Sequence, residues 1–425
     1  MGESHELIRQ NFRELLYARK KTEDDFFRYP IFGECASADS PECTRKETIL
    51  VTELFETTHI KSLELRNRSV RSATWSGVGD RKGYVTDRAV ELYRDLAAGG
   101  VGLIITGFQY VMPNSVAMPY QIGNYGEAQL EGLTRWTDAI HSHGGKVVAQ
   151  LVHTGTKANP KLFPEEGEIW GPSAIPDPLT GNTPKEMTQQ EIIQVVEAFA
   201  AAASRARRSG FDGIQLHGAH GYGINQFLSG AMNRRSDSYG GDIDKRYRFL
   251  GEVMESVRGA VGSDYPVFIK LSAHDHFDGG LVLEESLHVA RRLVADGVDC
   301  IEVSAGSRAS ADGMIPSRTK IRKAADEAYL AEFARSFKEA LQVPIITVGG
   351  IRSPEVISRI LSQGYADYAA LCRPLIREPN LINRWQRGDL RKATCISCNG
   401  CFETALEGSG VTCKIERERN KKKRD

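Results

Sequence analysis

Residues Gly213–Tyr222 read GIQLHGAHGY, and this stretch holds a strand and its chemistry together. Gly213–Leu216 is a short apolar run of the kind that forms a buried strand. It gives way to His217, His220 and Tyr222, and then to a polar, glycine-rich segment out to Gly241. Two imidazoles three positions apart can both donate N–H bonds to a single oxygen. A nearby phenol can hold a proton. That set suits polarising a carbonyl and then delivering a proton. A lone histidine here would read as a satisfied turn residue, but three reactive groups at one strand end favour a site.

Outward from this stretch, apolar strand-like runs alternate with amphipathic helical ones. The strands are Ser69–Ala73, Gly102–Thr106, Lys146–Leu151, Gly213–Leu216, Pro266–Leu271, Cys300–Ser304, Pro344–Val348 and Tyr368–Leu371. The helices are Asp87–Ala98, Ala128–His143, Thr188–Ser209, Asp244–Val261, Leu283–Ala295, Tyr329–Ala340, Pro354–Gln363 and Asn380–Arg387. Glycine follows many of them, at Gly99, Gly144, Gly210, Gly262, Gly297, Gly364 and Gly388, where a helix is expected to end. Ahead of the first strand, Leu63–Leu65 and Asn67–Ala73 read as a short hairpin. Eight strand–helix units predict an α/β fold, a parallel (β/α)8 TIM barrel over residues 51–390. An open doubly wound sheet would need a GxGxxG turn after the first strand, and none is there. Long segments follow strands at Val152–Met187, His217–Gly241 and Ala305–Ala328, as expected for loops that build the mouth of a barrel site.

Two flanks complete the expected domain plan. Residues 1–50 form an N-terminal extension with a helical spacing of Leu7, Ile8, Phe12, Leu15 and Leu16, followed by a turn-rich piece with Cys35 and Cys43. It reads equally as an arm on the barrel or a partner subunit and as surface decoration. Residues 391–425 are a Cys-rich segment with a basic tail. Hydrophobic content of 41% and charged content of 26% are those of a soluble globular chain. A net charge of zero argues against a nucleic-acid surface. No apolar run reaches membrane-spanning length and the start lacks a signal-peptide core, so the cytoplasm is the expected compartment. Eight cysteines then read as thiols or metal ligands rather than disulfides. A homo-oligomer is expected.

The other strand ends supply further candidates. Ser72, Ala73, Thr74 and Trp75 close the first strand, Thr106, Gly107 and Phe108 the second, and Gln150 and His153 belong to the third. Lys270 ends the otherwise apolar VFIK, and a buried lysine should face an anion or a developing negative charge. A reduced flavin would be such a partner, and the Gln150 amide could bond the same ring edge. Gly349–Gly350 lets backbone amides approach a ligand, and Arg373 follows the last strand after Cys372, which is where such barrels hold phosphate. A tight turn and a surface charge are the plainer readings of that pair.

These residues resemble the Old yellow enzyme family of FMN-dependent NADH:flavin oxidoreductases, including the barrel of the 2,4-dienoyl-CoA reductases. The match runs from about Leu54 to about Glu416 and is most specific in HGAHGYGINQFLSGAMNRRSDSYGGDIDKRYRFL, ending at Leu250. NRSVRSAT, QLVHTG, the KLS of Lys270–Ser272, TVGGI and LCRPLIREP fall in the same order. The resemblance implies that His217 and His220 bind the substrate carbonyl and that Tyr222 is the proton donor. It implies Ser72, Ala73, Thr74, Gly107, Gln150 and Lys270 around the flavin ring, with Gly349, Gly350, Cys372 and Arg373 at the ribityl phosphate. Its chemistry is hydride transfer from NAD(P)H through FMN to the activated C=C of an α,β-unsaturated carbonyl compound. The alternative is a flavin/iron–sulfur dehydrogenase or demethylase exchanging electrons with a partner protein. Many relatives carry proline at Ala73, a small residue, a cysteine or a threonine at Trp75, and a small residue at Phe108. Trp75 and Phe108 are therefore expected to line and narrow the substrate cavity.

Cys395, Cys398, Cys401 and Cys413 form C-x2-C-x2-C-x11-C, a strong metal signal. Longer family members hold a [4Fe–4S] cluster with a similar quartet, but with one more residue between the second and third cysteines. Four-thiolate zinc and an unmetallated thiol set stay open. Reading His217, His220, His274 and His276 as the metal ligands of a hydrolase is disfavoured, because the spacing lacks the HxH such barrels carry on their first strand.

Overall fold

The computed structural model describes residues 51–310 and 313–422, so the N-terminal extension, Cys35 and Cys43 lie outside the described residues. Eight parallel strands close on themselves. They are β1 (Ser69–Arg71), β2 (Leu103–Ile105), β3 (Val147–Val152), β4 (Gly213–Gly218), β5 (Val267–Ser272), β6 (Cys300–Ser304), β7 (Ile345–Val348) and β8 (Tyr368–Leu371). Neighbours pair in chain order, and β8 pairs with β1 to complete the barrel. The helices between them are α1 (Asp87–Ala98), α2 (Leu130–His141), α3 (Gln189–Arg208), α4 (Ile243–Val261), α5 (Leu283–Ala295), α6 (Ala331–Ala340), α7 (Pro354–Ser362) and α8 (Leu381–Gln386). The expected (β/α)8 barrel is borne out.

Each helix turns an apolar stripe to the sheet. Ile192, Val195, Val196 and Phe199 of α3 are spaced for one face and buried. Thr188 and Glu191 form a reciprocal cap at its start. Inside the barrel a second core joins Val70, Leu103, Ile105, Val148, Phe268, Cys300, Ile346, Tyr368 and Ala370. Ile60, Leu63 and Leu65 belong to the same core, so a hairpin of Thr58–Ile60 and Leu63–Leu65 plugs one end of the barrel. The expected hairpin is thus displaced by one element. Asn67 Oδ1 accepts from the Ser69 backbone N–H at 3.0 Å, and this side-chain turn separates Leu63–Leu65 from β1.

Strand period carries the interior from apolar to polar. Residues two positions after those core side chains share their face, and there the barrel lining changes character. Val148 is succeeded by Gln150, Phe268 by Lys270 and then Ser272, and Cys300 by Glu302 and then Ser304. The apolar end is stitched by one device used three times. Asp212, Asp299 and Asp367, each just before an even-numbered strand, accept the Val147, Val267 and Ile345 N–H, each at 2.8 Å. Each carboxylate caps the first amide of the preceding strand.

Boundary differences are small and have local causes. β4 continues through His217 to Gly218, because Lys270 on β5 pairs with His217. Helix α6 begins at Ala331 rather than Tyr329, whose N–H is taken by the Gly349 carbonyl. All the predicted helix-ending glycines except Gly99 adopt positive φ, and after α1 the role falls to Gly100, at φ 94°. Among the described residues, no helix is long and apolar enough to cross a membrane.

Candidate active site

The polar ends of β4, β5 and β6 bring the GIQLHGAHGY groups together. The His217 and His220 rings lie 5.2 Å apart and nearly perpendicular. The Tyr222 ring is 4.9 Å from His217. Phe108 packs its ring on both, 6.0 Å from His217 and 5.4 Å from Tyr222. His220 holds a left-handed backbone at φ 64°, followed by Gly221 at φ 72°. Such strain in a non-glycine residue is the kind stored at functional sites. Two contacts hold it in place: Nε2 lies 2.7 Å from Ser304 Oγ, and the Gly221 N–H donates to Asn225 Oδ1 at 2.6 Å.

Burial decides the protonation of all three groups. Desolvation, reinforced by nearby lysines, holds His217 and His220 well below the usual histidine range, so both are neutral and each keeps one N–H donor. Burial pushes the Tyr222 phenol up to about 12, which keeps its proton in place. The His217 Nδ1 atom is buried without a hydrogen-bond partner among the described residues. A buried polar atom left so is a place for a ligand.

A residue absent from the expectations joins this group. Lys157, in the loop after β3, donates from Nζ to the His220 carbonyl at 2.6 Å and lies 5.4 Å over the Tyr222 ring. Desolvation lowers its ammonium to about 8. The strain at His220 is thus held from both sides, by Ser304 on the imidazole and Lys157 on the backbone.

The ring-binding candidates also converge. Lys270 Nζ donates to Ser72 Oγ and lies against Glu302 Oε1, both at 2.9 Å. Ser72 Oγ donates to Glu302 Oε1 at 2.6 Å. Gln215 Nε2 donates to Glu302 Oε2 at 2.9 Å and its Oε1 accepts from Gln150 Nε2 at 2.6 Å. The anion expected opposite Lys270 is therefore supplied by the chain itself. Gln215 and Glu302 escaped the sequence reading, although each is a polar residue inside an apolar strand, the signal that exposed Lys270. Thr74 Oγ1 lies 2.6 Å from Cys372 Sγ. Ala73 packs on the inner core. The Gly107 N–H is taken by the Tyr93 hydroxyl at 2.8 Å.

The phosphate candidates are adjacent but engaged. Gly349 and Gly350 adopt φ 133° and 70°. A Cβ on either would come within 3.2 and 3.0 Å of the Tyr329 ring. Arg373 donates to the Arg318 carbonyl at 2.8 Å and to Asn399 Oδ1 at 2.7 Å. A phosphate here would replace these acceptors. At the ring end the donor set fits a flavin better: a lysine, a serine and a glutamine enclosed at the mouth, beside a partnerless imidazole nitrogen.

The Cys-rich segment reaches the site by packing. Phe402 stacks on Trp75, 6.4 Å between centroids and 13° between planes. Trp75 donates to the Pro119 carbonyl at 3.0 Å and shares an apolar cluster with Phe108, Val152, Ala405 and Val411, on which Tyr222 packs. Trp75 thus faces the C-terminal segment as well as the mouth. The four cysteines are free thiols with different surroundings. Cys395 and Cys401 are buried, Cys413 is half-buried, and Cys398 is exposed. Among the described residues, no three His, Cys, Asp or Glu side chains come together as a metal site. That includes His217, His220, His274 and His276 as hydrolase ligands.

A buried imidazole pair, a phenol that keeps its proton and a lysine-bearing polar layer beneath them form a strand-end set suited to a flavin-type oxidoreductase barrel. Residues 53–391 match the NADH:flavin oxidoreductase / NADH oxidase family, and the chain belongs to it. It is 36% identical over 355 residues to a NADH oxidase of Thermoanaerobacter brockii, covering 82% of this chain and 53% of that protein. It is 35% identical over 331 residues to a NADPH dehydrogenase of Clostridium acetobutylicum, covering 78% and 93%. The structure of a 2-naphthoyl-CoA reductase in complex with 2-naphthoyl-CoA superposes with a TM-score of 0.79 at 27% identity, covering 85% of this chain and 56% of that one. The chain spans about half the length of the first curated relatives it matches. The family resemblance read from the sequence is borne out.

Proposed function

We propose that this chain is an FMN-dependent reductase that takes hydride from NAD(P)H and delivers it to the activated C=C of an α,β-unsaturated carbonyl compound. One observation carries the reading. Two neutral imidazoles and a protonated phenol, with ring centroids 4.9–5.2 Å apart, share one enclosed strand end. FMN, when bound, supplies the hydride chemistry. The chain supplies the rest. The His217 and His220 N–H groups bind the substrate oxygen and stabilise the negative charge that grows on it. Tyr222 delivers its proton to the α-carbon. Lys157, over the Tyr222 ring, favours the phenolate that this leaves behind. Phe108 packs against both partners and keeps water from the proton path. Ser72, Gln150 and Lys270 would hold the flavin ring, with Thr74 and Ala73 beside it and Arg373, Cys372 and Gly349–Gly350 towards its phosphate.

The test is an anaerobic spectrum. The purified or FMN-reconstituted protein should be yellow, be bleached by NADH or NADPH, and regain colour on addition of an enone. A protein that remains colourless after reconstitution overturns the proposal.

A further inference from the structure

Glu302 is fully buried, yet it sits in the polar layer of the barrel where a hydrophobic residue would cost less. Its two carboxylate oxygens collect three donors. Oε1 takes Ser72 Oγ and the Lys270 ammonium, and Oε2 takes the Gln215 amide, which in turn holds Gln150. The register explains the meeting, because Lys270 and Glu302 are direct neighbours across β5 and β6, and Gln150 and Gln215 across β3 and β4. Ser72 directly follows β1 and Gln150 and Lys270 lie on β3 and β5, whereas Gln215 and Glu302 come from β4 and β6. Alternation between odd and even strands is how barrel interiors are layered. One carboxylate therefore holds Ser72 and Lys270 directly and Gln150 through Gln215, the three side chains proposed to hold the flavin ring. Replacing a buried ion pair with apolar residues is often neutral or stabilising, so folding alone does not account for it.

We infer that Glu302 is a positioning residue that fixes Ser72, Lys270 and, through Gln215, Gln150 beneath the flavin, and whose negative charge offsets the pull of Lys270 on the reduced ring. The inference rests on the FMN reading above. Lys270 alone would favour the electron-rich reduced flavin. With Glu302 at 2.9 Å the ammonium is largely compensated, and the bound flavin is a stronger hydride donor than an unpaired lysine would allow.

The experiment compares the FMN-loaded wild type with Glu302→Gln and Glu302→Asp. Glu302→Gln keeps the shape and removes the charge. It should shift the oxidised–reduced equilibrium at least tenfold towards reduced FMN, about 30 mV upward for a two-electron couple. It should also tighten binding of sulfite, whose addition to the flavin N5 leaves the ring anionic, by a similar factor. Glu302→Asp keeps the charge and should stay within threefold of wild type in both readouts. A Glu302→Gln protein that binds FMN with unchanged potential and sulfite affinity overturns the inference and leaves the FMN reading intact. A wild type that binds no FMN overturns the FMN reading instead. If Glu302→Gln is recovered without flavin, the comparison moves to Lys270→Met against Lys270→Met/Glu302→Gln. There removing the carboxylate relieves an unpaired ion, and the same upward shift is expected. Loss of FMN from that double variant as well overturns the inference, because it makes Glu302 a structural strut alone.

Discussion

Replacing Ser304 with alanine tests the oxygen site without altering either imidazole. His220 stands at φ 64°, a conformation that costs a non-glycine residue about 1–2 kcal/mol. Its Nε2 meets Ser304 Oγ at 2.7 Å, and such a hydrogen bond contributes about 0.5–1.5 kcal/mol net. One hydroxyl thus offsets much of the local strain and sets which way the ring faces. Ser304 is buried on β6, so the alanine variant loses one oxygen and little packing. An oxygen gripped by His217 and His220 would then have one fixed donor and one loose one. Dissociation constants for phenols, whose oxygen mimics the enolate, should rise about 2- to 10-fold, since about 1.4 kcal/mol is a factor of ten. The assay is an absorbance titration of the FMN-loaded enzyme with a para-substituted phenol, with flavin content as the control. Unchanged dissociation constants at full flavin occupancy would refute the claim that Ser304 sets the geometry of the oxygen site.

Three further outcomes are expected. Tyr222→Phe should slow enone reduction by about 100-fold or more while leaving flavin reduction by NAD(P)H unchanged in stopped-flow traces; equal slowing of both steps would contradict its role as acid. Lys157 titrates near 8 because burial disfavours its charge, so its support for the Tyr222 phenolate is present below that pH and lost above it. The rate of enone reduction should fall as pH rises through about 8 in wild type, and Lys157→Met should flatten that limb of the pH–rate profile. At the opposite end of the barrel, the hydrogen bond to Asp212 raises the His141 pKa. A raised folded pKa contributes stability below the unfolded value of about 6.5, and the contribution disappears as pH climbs through the folded value. His141→Ala should therefore lower the melting temperature more at acidic than at alkaline pH, by the equivalent of about 0.5–1 kcal/mol for a partly exposed pair. An equal deficit at both pH values would remove the ion pair from the account.

The barrel was legible because period and punctuation agree along the chain. The strands are continuous apolar runs, as expected when both faces are buried, and helix-ending glycines mark most of the returns. Lys270 stood out because it interrupts such a run. Gln215 and Glu302 interrupt IQL and IEV in the same way, and the rule that singled out one would have found the others. What strand period does not carry is partnership between strands. That Glu302 meets Lys270, or that Ser304 meets His220, depends on register, which only closure of the barrel sets. Lys157 was hidden for another reason. Its role comes from a loop folding back over Tyr222, and no spacing in QLVHTGTKA encodes that return. The cysteine quartet adds a difference that spacing does not carry: Cys398 is exposed while Cys395 and Cys401 are buried.

Stability and chemistry are separated along one axis of this barrel. At the plugged end, apolar side chains fill the interior, and Asp212, Asp299 and Asp367 tie β4, β6 and β8 each to the strand before it. Those carboxylates bind backbone amides and leave no group free for a ligand. Further along β3, β4, β5 and β6, the inward positions carry Gln150, Gln215, Lys270 and Glu302, which are linked by hydrogen bonds and an ion pair. At the strand tips, His217 and Tyr222 find no such closed network, and the His217 Nδ1 has no partner among the described residues. Polar groups are progressively less satisfied from the plug to the mouth. A ligand gains most where the protein has satisfied its own groups least. The middle layer then has a distinct task. It is polar enough to act on whatever is bound above it, and its members hold one another in place. It can therefore hold a fixed charge pattern beneath a flavin without rearranging when the substrate arrives, which is the preorganisation that electrostatic catalysis requires.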